Sequence, residues 1–258
     1  MTTAFLFLII VGVFVAIAAS YLGSFMVLKR MSLVGDALSH VALPGMAIAI
    51  SLNISPILGA LVFLLMAAVI IWYIGETSEV YPEALVGILF TASLALGILL
   101  TKEPDLLEAL FGNIEAISFV EGMAAIVLSL VAVIITYLIS KGLTIAVISE
   151  EMAKSAGFKI KWINLIYLLL VSLIVALGVK FVGTLLTGAL VIVPPASAKN
   201  ISAGQKGYVI LSALFALISS VTGIAIAKLL VIETGPAVVL VSVFIFLLTY
   251  LYSRFRRP

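Results

Sequence analysis

Residues 31–50 read "MSLVGDALSHVALPGMAIAI". Asp36 and His40, the only histidine of the chain, stand four residues apart in a run that is otherwise nearly hydrocarbon. If the segment is helical, that spacing puts carboxylate and imidazole on one face. Both groups suit divalent metals such as Zn²⁺ or Mn²⁺. Ser32 and Ser39 add hydroxyls nearby, and Pro44 and Gly45 follow at once, which predicts a break or bend in the helix.

Working outward, the surroundings are those of a membrane protein. The 258 residues are 64% hydrophobic and 10% charged, with a mean hydropathy of +1.39. A soluble domain has about 45–50% apolar and about 25% charged residues. A packed core cannot hide this much apolar surface from water, so lipid is the solvent for much of it. The runs are apolar on both parities, whereas a membrane β-barrel alternates. The fold class is therefore all-α and polytopic.

A spanning helix needs about 20 apolar residues. Candidate spans are 4–28, 56–75, 84–100, 119–140, 163–179, 208–227 and 237–252. Two shorter runs, 41–52 and 181–198, bring the expected count to eight or nine. Residues 1–20 have no basic n-region and no clear cleavage site, and read as a retained first helix. The chain reads as one transmembrane domain over 1–258 with no soluble domain attached. The three arginines of "SRFRRP" place the C-terminus in the cytoplasm. Counting back puts 199–206, 141–161, 76–83 and Lys29-Arg30 inside. Residues 101–118 and 230–236 then fall outside, with the N-terminus.

An ionisable residue in a membrane segment tends to mark an ion or substrate path. Asp36 and His40 are candidate metal ligands on that ground. The competing reading is that Asp36 caps a helix and His40 bonds to a backbone carbonyl. From the residues alone the two stand equal. In "ISEEMAKSAGFKIK", residues 148–161, Ser149 can cap a short cytoplasmic helix at about 149–158, with Gly157 as its stop. It is either a solvated loop helix or a docking element for a cytoplasmic partner. In "VGTLLTGALVIVPPASAKN", residues 182–200, small residues permit close helix contact. Pro194-Pro195 frees carbonyls there, either for a path or simply in a kinked packing helix.

Zero cysteines exclude disulfides and thiolate metal sites. A net charge of +2 with no basic block argues against nucleic acid. There is no phosphate loop and no H-E-x-x-H, so the chain reads as a non-enzyme that neither hydrolyses ATP nor acts as a metalloprotease.

"MSLVGDALSHVALPGMAIA" closely resembles the hallmark of the metal-type ABC importer permeases, the zinc and manganese uptake permeases. "LFGNIEAIS", "ISEEMAKSAGFKIKWINLIYLLLVSL", "VGTLLTGALVIVPPASAKNIS" and "IETGPAVVLV" resemble further family segments in the same order. Two departures stand out: Ser149-Glu150-Glu151 replaces a usual aspartate, and Glu233–Pro236 lacks a usual proline. The resemblance implies the cobalamin-type importer permease fold and a homodimer in the cell membrane. It also implies a cytoplasmic ATPase dimer that consumes the ATP and an extracellular or periplasmic metal-binding protein. No bound cofactor is expected; the metal is cargo. Asp36 and His40 fall on the family's path-lining residues. Ser149, Glu150, Glu151, Ala153 and Gly157 fall on its ATPase-coupling helix, and Pro44, Gly45, Pro194 and Pro195 are expected to break helices along the path. The remaining alternatives are an ATP-independent transporter or channel, an ABC permease for iron or chelated metal, and an assembly protein.

Overall fold

The structure is a computed structural model and describes residues 2–80, 82–100 and 118–256. Those residues form ten α-helices and no strand. They are α1 Thr2–Leu28, α2 Ser32–Ser51, α3 Pro56–Thr77, α4 Pro82–Leu100, α5 Phe119–Ile148, α6 Glu150–Ser155, α7 Ile160–Val182, α8 Thr184–Ile201, α9 Gln205–Leu230 and α10 Thr234–Arg256. Seven are long and apolar enough to cross a bilayer: α1, α2, α3, α5, α7, α9 and α10. Residues 84–100 of α4 form a shorter apolar helix. The 18-residue α8 covers most of the expected run 181–198. Segment 101–117, which carries most of the loop expected outside and includes "LFGNIEAI", lies outside the described residues.

Local chemistry explains several helix ends. Pro56 opens α3, where a missing N–H costs nothing. Ser118 and Glu121 close a capping box on α5, and Glu121 also binds Lys180 at the end of α7. The Ser149 hydroxyl accepts from Met152 N–H at 3.2 Å and starts α6. Gly157, at φ +84°, stops it: Phe158 N–H reaches Ala153 C=O and Gly157 N–H reaches Lys154 C=O. Gly183, at φ +86°, is the single residue joining α7 to α8.

The motif of residues 31–50 occupies one complete helix, not the short piece 41–52. The expected break at Pro44–Gly45 does not occur, nor does one at Pro194–Pro195: α2 and α8 run through their prolines. A proline inside a helix strands the carbonyl four residues earlier. Here those carbonyls belong to His40, Leu190 and Val191. Such a defect persists in a membrane where neighbouring protein covers it. Both helices are covered: Pro44, Gly45, Pro194 and Pro195 are all buried. A Cβ on Gly23 of α1 would lie 1.8 Å from the Val191 oxygen, so the α1 backbone itself lies against that stranded carbonyl.

The architecture is a wrap around α2. That helix packs on α3, α4, α7 and α8. It is 78% buried, against 28–39% for α1, α3, α5, α9 and α10. The outer helices leave Leu, Ile, Val and Phe exposed on their surfaces, as at Leu99, Leu138 and Leu240. Contact with α2 is backbone-close. A Cβ on Gly45 would sit 2.4 Å from the Gly59 carbonyl of α3, and one on Gly59 2.1 Å from the Gly45 carbonyl. Small residues at such crossings supply the van der Waals packing that holds membrane helices together. Hydroxyls tie α1 to its neighbours: Tyr167 Oη donates to Leu22 C=O at 2.7 Å, and Ser20 Oγ to Ser212 C=O at 2.9 Å. Each is worth about 0.6–2 kcal/mol in a membrane.

Candidate functional site

Asp36 and His40 lie one turn apart on α2, the most enclosed span. The capping explanation for Asp36 fails, because α2 begins at Ser32 and its N-cap position is Met31, with no side-chain bond. No protein group hydrogen-bonds the Asp36 carboxylate among the described residues. Its own backbone carbonyl accepts from Ser39 Oγ at 2.6 Å, which turns that hydroxyl back onto the helix. The carbonyl explanation for His40 fails too. The ring is 7% exposed, yet Nδ1 is buried with no partner. Phe90 of α4 holds the ring edge-on, with centroids 4.9 Å apart and planes at 89°. A buried polar atom left unpaired costs about 1–3 kcal/mol, and no hydrogen bond within the described residues offsets that cost here.

Across from the pair stands α8. Gly188 is pressed onto Asp36: a Cβ there would lie 2.5 Å from Oδ1 and 2.8 Å from Cα. Asp36 is half-buried at this crossing. Gly188, Phe90 and the Gly183 joint escaped the sequence reading. The small-residue run "TLLTGAL" was a visible signal for Gly188, but nothing in it names Asp36 as the partner. Pro44 and Gly45 continue along α2 towards α3 and α4: Gly97 of α4 lies against Leu43 and Pro44. Pro194 and Pro195 lie further along α8 and are not brought together with Asp36 by any contact described. The described residues hold no cluster of three or more acidic or histidine side chains able to bind a metal. Asp36 and His40 therefore offer one N/O pair, and a metal needs at least two more ligands.

The second group of candidate residues gathers on α6, which packs against α5 and α7. Ala153 is fully buried and anchors the helix; Glu150, Glu151 and Gly157 are exposed. Lys154 pairs with Glu150 at 3.9 Å on the open surface, a contact of little energy. Beside α6 a cavity of about 520 Å³ reaches from Glu150 to Lys29, Glu76 and Asn164. Lys29 Nζ donates to Asn164 Oδ1 at 2.6 Å. Burial lowers the Lys29 pKa, against the opposing pull of Glu150 and Glu76. Lys29 lies three residues before α2, so the cavity separates α6 from the approach to the Asp36 helix.

The family model described as the ABC 3 transport family matches residues 2–253. The chain is 30% identical over 249 residues to the manganese transport system membrane protein MntC of Listeria monocytogenes, covering 95% of this chain and 89% of that one. It is 29% identical over 254 residues to the high-affinity zinc uptake system membrane protein ZnuB of Haemophilus influenzae, covering 96% and 97%. Among solved structures, PsaBC from Streptococcus pneumoniae in complex with Fab has the same fold. Its TM-score is 0.82 at 32% identity, over 94% of this chain and 89% of that one.

Proposed function

The chain belongs to the ABC 3 transport family, and from that premise we propose that it is the membrane permease of an ABC importer carrying zinc or manganese into the cytoplasm. The observation that carries the reading is the Asp36–His40 pair. An acid and an imidazole sit one turn apart on the most enclosed helix, and among the described residues no hydrogen bond is made to the carboxylate and Nδ1 is buried without a partner. Neutral imidazole and ionised carboxylate give mixed N/O coordination, which replaces part of a metal's water shell without the grip of a thiolate site. A path ligand must bind well enough to admit the ion and weakly enough to release it. Because His40 binds as the neutral base, metal loading displaces any proton there.

Two ligands are too few, so the remainder come from a second copy of the chain, from water or from freed carbonyls. Pro44 strands the carbonyl of His40 itself, at the same turn as the imidazole. ATP is hydrolysed by a separate cytoplasmic subunit that engages Ser149, Glu150, Glu151, Ala153 and Gly157. A binding protein on the outer face delivers the metal. Family membership favours this reading over an ATP-independent channel.

The test is uptake of radioactive Zn²⁺, Mn²⁺ and Fe²⁺ by proteoliposomes holding the permease, its ATPase and its binding protein. ATP-dependent uptake of zinc or manganese is expected, with His40→Ala and Asp36→Asn each lowering it at least tenfold. Undiminished uptake in both variants removes the pair from the path, and preference for Fe²⁺ or a chelate changes the cargo.

A further inference from the structure

Thr184 opens α8 directly after the Gly183 joint. Its side chain is fully buried, and its hydroxyl has no hydrogen-bond partner among the described residues. Few buried hydroxyls among the described residues are left so. Ser20, Ser172, Thr187, Ser197, Ser212 and Ser242 all donate to carbonyls. The other unpaired hydroxyls belong to Ser129, Thr136 and Ser219, on α5 and α9, which have no contact described with α2.

Register says what Thr184 faces. Gly35 of α2 meets Val191 of α8, and Asp36 meets Gly188. The residue numbers rise on α2 as they fall on α8, so the helices are antiparallel. One turn further along α2 is His40; one turn back along α8 is Thr184. The helical period puts Thr184 on the same face of α8 as Gly188 and Val191, both of which touch α2. Two buried, unpaired polar atoms therefore stand at matching positions on facing helices: His40 Nδ1 and Thr184 Oγ1.

We infer that Thr184 is a positioning residue for His40, its hydroxyl oxygen accepting the Nδ1–H of the imidazole when metal is bound. The inference rests on the metal-path reading of His40. A ligating histidine almost always donates its other ring N–H to an oxygen, which fixes the tautomer and the ring plane. With the proton held on Nδ1, the lone pair of Nε2 is left for the ion. Phe90 then supplies the opposite constraint, an apolar edge that gives the ring nothing else to bond.

The experiment measures Mn²⁺ and Zn²⁺ uptake by the reconstituted complex, resolved into apparent KM and maximal rate. Metal-induced thermal stabilisation of the detergent-purified complex is read in parallel. Thr184→Val is expected to raise apparent KM about 10–100-fold and to lose a matching part of the metal-induced stabilisation. Thr184→Ser restores both. Thr184→Ala serves if valine disturbs the α7–α8 joint. In a His40→Ala background the Thr184 change adds nothing further. Wild-type affinity in Thr184→Val or Thr184→Ala, with His40→Ala defective, overturns the inference and leaves the metal path standing. So does a Thr184 effect that persists in full without His40. Wild-type affinity in His40→Ala overturns the path reading itself, and the inference with it.

Discussion

A glycine decides how near α8 comes to the Asp36 carboxylate. At Gly188 any Cβ falls within 2.5 Å of Oδ1. Gly188→Ala therefore forces α2 and α8 apart or swings the carboxylate away. Overpacking of this kind costs about 1–3 kcal/mol. The expected outcome is a lower Tm in detergent and a fall in metal uptake beyond what the Tm loss explains. Gly87→Ala on α4 is the control, because nothing lies within 4 Å of its added Cβ. There the gain in helix propensity is up to about 1 kcal/mol, and both Tm and uptake hold or rise. Equal Tm for the two variants would mean that the crossing is looser than the structure has it. The i,i+4 spacing of Asp36 and His40 was legible in sequence, because it depends on helical period alone. The facing residue was not, since Gly188 meets Asp36 only through the packing of helices far apart in the chain.

At the scale of the element, α6 is a helix of six residues, too short to persist without its ends and its anchor. Ser149 supplies one end, Gly157 the other, and Ala153 the anchor. Ser149→Ala removes the cap at a cost of about 1 kcal/mol. The expected outcome is a folded permease whose ATPase partner is less stimulated by loaded binding protein, with Ser149→Asp close to wild type. Normal stimulation in Ser149→Ala would remove the cap from the coupling role. Both ends of α6 were legible, because a serine cap and a glycine stop are written in neighbouring residues. The continuity of α2 and α8 was not. Proline argues for a break in the sequence; burial on all sides keeps the helix going in the structure. The polar residues 32–40 likewise made the span look short, although protein rather than lipid surrounds them. On the α2–α3 side, Gly59→Leu is expected to destabilise by about 1–3 kcal/mol or more, because the Gly45 carbonyl cannot retreat as a side chain can. A Tm scan of the purified protein checks it.

For the whole molecule, the multi-pass arrangement has a direct test in the absence of cysteine. Single cysteines report without background: Ser253→Cys is expected to react with a membrane-impermeant thiol reagent only from the cytoplasmic side, Phe119→Cys only from outside. The opposite pattern inverts the topology. The enclosure of α2 also bears on how the protein is made. Its hydropathy, 1.6, is the lowest of the seven long spans, and it carries an acid and an imidazole. Translation proceeds at about 5–20 residues per second, so α2 leaves the ribosome many seconds before α7 and α8 exist to cover it. During that interval it must stay at the translocation channel, pair with a temporary partner or remain partly in water. Biogenesis of this permease is therefore gated by its later helices, and a chain truncated before α8 is expected to be degraded by membrane quality control rather than to accumulate.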